Sequence, residues 1–143
     1  MTEESWDAEN HSYWFVNATY EARDEASRFI SEGVWELDPD ASNPRYRDLV
    51  LQMRPGDRIA IKTNFNRARD LPFDNRGRKV SGMAIRAIGA IKENPGDGRS
   101  VRVSWTPVSP PREWYFYTHT QTIWRVGTKK PLERELLAFT FEN

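Results

Sequence analysis

Val80-Ser-Gly-Met-Ala-Ile-Arg-Ala-Ile-Gly-Ala-Ile-Lys-Glu93, the turn Asn94-Pro-Gly-Asp-Gly98 and the run Ser100-Val-Arg-Val-Ser-Trp-Thr106 decide the architecture. The first run is apolar and strand-forming, with Gly82 and Gly89 at bends or bulges. The Asn-Pro-Gly-Asp-Gly segment is turn chemistry, so the two runs are predicted to form a β-hairpin. Working back, Arg58-Ile-Ala-Ile-Lys-Thr63 alternates as a strand and is fed by the turn Pro55-Gly56-Asp57. Between that strand and the hairpin, residues 64–78 read as a long basic loop punctuated by Pro72 and Gly77. Loops of that length are uncommon in compact domains unless they are functional or disordered. Working forward, the prolines of 107–111 interrupt the pattern, and 114–118 and 122–126 are predicted as two further strands. Pro131 opens a short helix through Leu137.

Towards the amino terminus, Ser12-Tyr-Trp-Phe-Val-Asn17 is a short strand with Trp14 and Val16 on one face and Tyr13 and Phe15 on the other. Residues 23–32 place Ala26, Phe29 and Ile30 at helical spacing, with Gly33 as the stop. Residues 45–53 carry Tyr46, Leu49, Val50 and Met53 on one helical stripe. Six strands and two or three short helices predict an α+β fold, a small curved sheet or barrel with helices on its side. No repeat or linker divides it. A flexible acidic lead-in, 1–11, precedes one domain over 12–143.

Composition narrows the function classes. The 143 residues contain no cysteine and two histidines, His11 and His119, which argues against thiolate zinc sites, cysteine nucleophiles and histidine-rich metal centres. No apolar run approaches the ~18–20 residues that a membrane span requires. The zero net charge conceals an asymmetry. Residues 1–40 hold eleven carboxylates against Arg23 and Arg28, whereas 45–79 hold ten bases, eight of them arginine, against four acids. An arginine-rich stretch suits phosphate oxygens, and it equally suits a solvated loop balanced by the acidic third. The resulting candidates for phosphate contact are Arg67, Arg69, Arg76, Arg78 and Lys79 in the loop. The chain has no glycine-rich phosphate loop, dinucleotide fingerprint or nucleophile elbow.

Aromatic residues make up 13% of the chain. Trp35 follows the helix stop and precedes the turn-rich 38–44, so it belongs to a connection and is either a plug over the core or a stacking platform. Trp14 and Trp124 are expected in the core. Lys62, Thr63 and Asn64 end a strand and open the basic loop, where polar groups can meet a ligand without disturbing the sheet. Rings, hydrogen-bonding side chains and nearby cations are together what capture of an unstacked base requires.

One ordered series carries a resemblance: Ser12-Tyr-Trp-Phe-Val-Asn-Ala, Arg28-Phe-Ile-Ser-Glu-Gly-Val-Trp-Glu, Arg54-Pro-Gly-Asp-Arg-Ile-Ala-Ile-Lys, Leu71-Pro-Phe-Asp-Asn-Arg-Gly, Met83-Ala-Ile-Arg-Ala-Ile-Gly and Pro111-Arg-Glu-Trp-Tyr-Phe-Tyr-Thr. Over 12–143 it resembles the amino-terminal domain of McrB-type restriction AAA+ ATPases, and through it the EVE and YTH members of the PUA-like superfamily. The resemblance implies a small β-barrel flanked by helices whose aromatic pocket accepts a flipped, modified base in DNA. In that pocket Trp35 would be one wall, and Asn17 and Ala18, with Lys62, Thr63 and Asn64, would form the edge. No Trp occupies the hairpin at 94–99, so the opposite wall would come from Trp105, Phe65, Phe73 or the 114–117 string. The implied role is a cytoplasmic reader that performs no chemistry and needs no cofactor, and that targets an AAA+ ATPase and a nuclease subunit. Two alternatives stand beside it. One is an RNA-binding PUA-like domain. The other is an ASCH-like amidohydrolase acting on a modified nucleoside through Lys62, Thr63 and Glu93, which strand alternation opposes.

Overall fold

The computed structural model describes residues 11–142. The acidic lead-in read over 1–11 therefore lies outside the described residues except for His11. Strands β1 (Tyr13–Asn17), β2 (Thr19–Tyr20) and β3 (Arg23–Asp24) are followed by helix α1 (Ala26–Glu32), strand β4 (Val34–Glu36) and helix α2 (Pro44–Gln52). Strands β5 (Arg58–Arg67), β6 (Val80–Glu93), β7 (Ser100–Tyr115) and β8 (Ile123–Val126) lead to helix α3 (Pro131–Phe141). Six strands form one curled mixed sheet in the order β4-β7-β6-β5-β1-β8, a half-barrel of an α+β fold. The pairing of β1 with β5 is parallel, with Asn17 opposite Lys62, and the other pairings in the sheet are antiparallel. No helix among the described residues is long and apolar enough to cross a membrane.

The core lies on both faces of the sheet. Trp14 and Val16 join Phe29 of α1 and Val50 of α2 on one side. Tyr13 and Phe15 join Leu136 and Leu137 of α3 on the other. This is the two-faced β1 that alternation predicts for a strand buried on both sides. Local signals end the helices. Gly33 caps α1 in the left-handed conformation (φ 69°), its N–H returning to Phe29 O. The Asn43 side chain accepts from Arg45 N at 3.0 Å with Pro44 in the first turn of α2. Glu133 accepts from the backbone N–H groups of Gly127 and Lys130, which fixes the entry to α3.

Four expectations are corrected. Trp35 is not in a connection: it lies in β4, opposite Val101 of β7, and is fully buried. The loop opens later than residue 64, because β5 continues to Arg67 and pairs with β6 as far as Val80. The helix predicted from residue 23 begins at Ala26, since Arg23–Asp24 pairs with Thr19–Tyr20. The prolines of 107–111 do not divide two strands either. They sit in an irregularity of the single strand β7, where Ala87 pairs with Pro107 and Ile85 with Arg112. An excursion of this kind tolerates residues that cannot donate to the ladder.

Candidate functional site

Parallel pairing sets the carboxyl end of β1 beside the middle of β5, with Asn17 opposite Lys62, and a cavity of about 230 Å³ opens there, lined by Asn17, Thr19, Lys62, Thr63, Asn64 and Thr120. Alternation along β5 puts Ala60, Lys62 and Asn64 on one face. Ala60 belongs to the α3-side core, so Lys62 stands where that core gives way to polar groups. Its side chain is fully buried. The ammonium donates to Asn17 Oδ1 (2.9 Å), Asn64 Oδ1 (2.7 Å), His119 O (2.8 Å) and Gln121 O (3.1 Å). Asn64 Nδ2 also donates to His119 O. Four oxygens thus surround Nζ, but none is a carboxylate, so they supply dipoles without a countercharge. Burial pushes Lys62 down from the usual lysine range to about 7. His119 is also held below its ordinary value, by burial first and then by the charges of Lys62 and Arg45.

Asn17 holds the site together from the β1 side. Its carbonyl accepts from Trp35 Nε1 at 2.9 Å and from the Tyr20 hydroxyl at 3.1 Å, and its N–H donates to Thr122 O. With Oδ1 committed to Lys62, the Asn17 amide nitrogen makes no hydrogen bond among the described residues. Thr63 faces the other way. Its hydroxyl lies 3.5 Å from Arg86 Nη1, and the same guanidinium holds Asp24 of β3. Arg86 is the extra residue of a bulge, between Ile85 opposite Lys62 and Ala87 opposite Ile61. The bulge re-aims its side chain toward the β2–β3 ribbon at the mouth of the site.

The structure therefore brings together Asn17, Lys62, Thr63 and Asn64 and leaves out three other expected pocket residues. Trp35 is a core residue with no exposed face, as is Ala18. A ring without an accessible face cannot stack on a ligand, so Trp35 acts as the plug. Trp105 packs on the same core, its indole N–H donating to Val34 O at 2.8 Å, away from the cavity. The amidohydrolase set does not assemble. Thr63 pairs with Ala84, and Glu93 lies nine residues further along β6, up to about 30 Å away at ~3.3 Å per residue.

The basic candidates divide as well. Arg67 is in a strand and makes a two-pronged pair with Glu113 at 2.9 and 2.8 Å, with its guanidinium over the Phe65 ring. Its fork is occupied, which corrects its reading as a phosphate ligand. The Arg67 hydrogen bond, with help from the Tyr115 hydroxyl, holds Glu113 below the ordinary carboxylate range. Arg69, Arg76, Arg78 and Lys79 are exposed and make no ion pair among the described residues. Arg76, Arg78 and Lys79 line a second cavity, of about 390 Å³, with Phe73 and Phe116. A third, of about 340 Å³, lies between the start of β1 and the entry to α3, where Glu133 is already committed to backbone N–H groups.

Sequence reading missed Arg86, Thr19 and Thr120. Arg86 has no local signal, because a bulge is a property of register. Among the described residues no group of three or more histidines and carboxylates is placed to hold a metal ion. Compared with known proteins, the chain matches no family model and no curated protein.

Proposed function

We propose that this chain is a nucleic-acid reader whose Lys62 cavity takes an unstacked base, carrying a modification, by its hydrogen-bonding edge. The observation that supports it is the convergence of Asn17, Lys62 and Asn64 where β1 ends beside the middle of β5, with Thr63 at the rim and donors still unspent. The free Asn17 amide nitrogen and the hydroxyls of Thr19 and Thr120 face a cavity whose floor is a buried amine. A base lifted from its stack is recognised by hydrogen bonds to such an edge. With Trp35 sealed in the core, polar groups carry recognition here, and any stacking comes from another ring. The resemblance to McrB-type domains suggests the setting, a PUA-like module that directs an AAA+ ATPase and its nuclease to modified DNA.

The test is titration with matched oligonucleotides, DNA and RNA, bearing a methylated or an unmodified base. Tighter binding of a modified DNA, lost in Asn17→Ala without loss of the fold, supports the proposal. Equal affinity for all modified and unmodified probes refutes it. Preference for RNA transfers the reading to an RNA-binding domain. Turnover of a modified nucleoside, followed by mass spectrometry, would make the chain an enzyme instead.

A further inference from the structure

Phe116 is the most exposed large apolar residue among those described, at 68%. Its backbone is in the left-handed region, φ 76°, which a bulky L-residue rarely adopts. The surroundings hold it there: Phe116 N donates to Ser81 O, and Phe116 O accepts from Thr118 N. The Phe116 ring lies 5.3 Å from that of Phe73 at 37°, and Phe73 sits edge-on to Tyr115 at 5.3 Å. Tyr115 in turn meets Phe65 edge-on at 6.0 Å. Phe65 crosses Gly82 so closely that a Cβ there would fall 2.2 Å from its ring. A chain of rings running in from the sheet therefore ends in an exposed platform. Arg76, Arg78 and Lys79 border that platform without ion-pair partners among the described residues, and the acid that lines the cavity with them, Asp74, accepts from Arg76 N.

Core packing does not explain a strained, outward ring, and a solvated basic loop does not explain why the cations gather against it. Stacking surface beside unpaired cations is the chemistry of single-stranded nucleic acid, with bases on the rings and phosphates on the charges. The position relative to the first site fits. Phe116 borders this cavity and Thr120 borders the Lys62 cavity. Four residues of chain span at most ~14 Å, so the two cavities lie within a few nucleotides of one another.

We propose that Phe73 and Phe116, with Arg76, Arg78 and Lys79, form a second subsite that stacks an unpaired base a few nucleotides from the one held beside Lys62. This rests on the reading of the chain as a nucleic-acid reader, and it adds that reading extends to flanking nucleotides. The full chain would be titrated by fluorescence anisotropy with a labelled, unmodified oligothymidine of about twelve nucleotides, a length within known single-strand site sizes, at two salt concentrations. Phe116→Ala and Phe116→Gly are expected to weaken binding by roughly tenfold or more, with the salt slope unchanged. Phe116→Trp is expected to bind at least as tightly as the wild type. Phe116→Gly should also melt no lower than the wild type, because glycine accepts the backbone that phenylalanine strains. Arg76→Gln with Arg78→Gln should lower the salt slope by about two.

Wild-type affinity in both Phe116→Ala and Phe116→Gly would overturn the subsite. Base reading is scored separately, by the effect of Asn17→Ala on discrimination between methylated and unmodified probes. Lost discrimination there with unaffected Phe116 variants leaves base reading standing and removes the subsite. The reverse pattern keeps the platform and removes the pocket. Failure of the wild type to bind any probe removes both.

Discussion

Lys62 should make the stability of this protein depend on pH in a way that one substitution removes. An unfolded lysine titrates near ~10.4, whereas burial holds the folded Lys62 at about 7. Below pH 7 both states carry the proton and the contribution is flat. Between about 7 and 10 the unfolded chain binds one proton more than the folded chain, so stability rises with pH at about 1.4 kcal/mol per unit. Two pH units above neutrality are therefore worth about 2–3 kcal/mol. Lys62→Met keeps the length and removes the proton. It also leaves Asn17 Oδ1, Asn64 Oδ1 and Gln121 O without their donor and His119 O with Asn64 Nδ2 in place of two donors, a penalty independent of pH. Urea unfolding followed by tryptophan fluorescence at pH 6, 7, 8 and 9 would give the difference between the two proteins, in which titrating groups remote from Lys62 cancel and His119, which the Lys62 charge helps to hold down, is the neighbour that does not. The wild type should gain on Lys62→Met steadily from pH 7 to 9 and show no gain from 6 to 7. A difference constant over the whole range would refute the reasoning, and it would mean that the four oxygens hold the charge at full strength.

Three other outcomes follow from the packing. Trp35→Ala removes a fully buried ring and the donor to Asn17 O, and should cost about 3–5 kcal/mol; a melting temperature like that of the wild type would return Trp35 to the surface. Asp57→Ala strips the acceptor from the N–H groups of Ser12 and Arg54 and from the indole of Trp14. At about 1–3 kcal/mol for each buried donor left unpaired, denaturant titration should show one of the larger losses in the chain, and a loss below 1 kcal/mol would contradict the assignment. Arg67→Gln breaks a pair whose side chains are about one-third exposed, worth about 0–1 kcal/mol. It should leave the salt dependence of oligonucleotide binding unchanged, and a fall in slope of about one would make Arg67 a phosphate ligand after all.

What the sequence revealed divides by the distance over which the deciding interaction acts. The two-faced β1, the glycine stop of α1 and the hairpin at 94–98 are local, and each was legible from alternation or turn chemistry. Trp35 was not. A three-residue strand has too few positions to show alternation, and its partner Val101 is remote in the chain. The proline run misled for the converse reason, since local chemistry argued for a break that pairing across β6 and β7 overrides. The polar half of the site was legible in part: Asn17 does close β1, whereas Lys62, expected near a strand end, lies in the middle of β5 and meets Asn17 through the parallel pairing. The oxygens that define the Lys62 environment were not, as two come from carbonyls 57 and 59 residues away. Arg67 looked free for the same reason: its carboxylate partner is 46 residues distant.

The fate of the charges bears on how a nucleic acid would approach. Over the sequence the acids precede the bases, and the fold pairs several of the acids while leaving the bases at 76–79 without ion pairs among the described residues. Glu25, Glu32 and Glu36 gather around the single guanidinium of Arg28, at 2.5, 3.3 and 2.7 Å, and Asp24 is taken by Arg86. The acidic third is thus partly neutralised from within. The bases at 76–79 find no such partners among the described residues and stay at the surface beside Phe73 and Phe116. A chain of zero net charge consequently carries a locally basic surface, and the field there depends on that local arrangement and not on the sum. Salt should then weaken binding as the number of phosphates met by that face dictates, while the polar cavity at Lys62 contributes selectivity that salt leaves largely unchanged. On the proposed reading, affinity and discrimination would reside in different residues, so that substitutions at one site should alter one and spare the other.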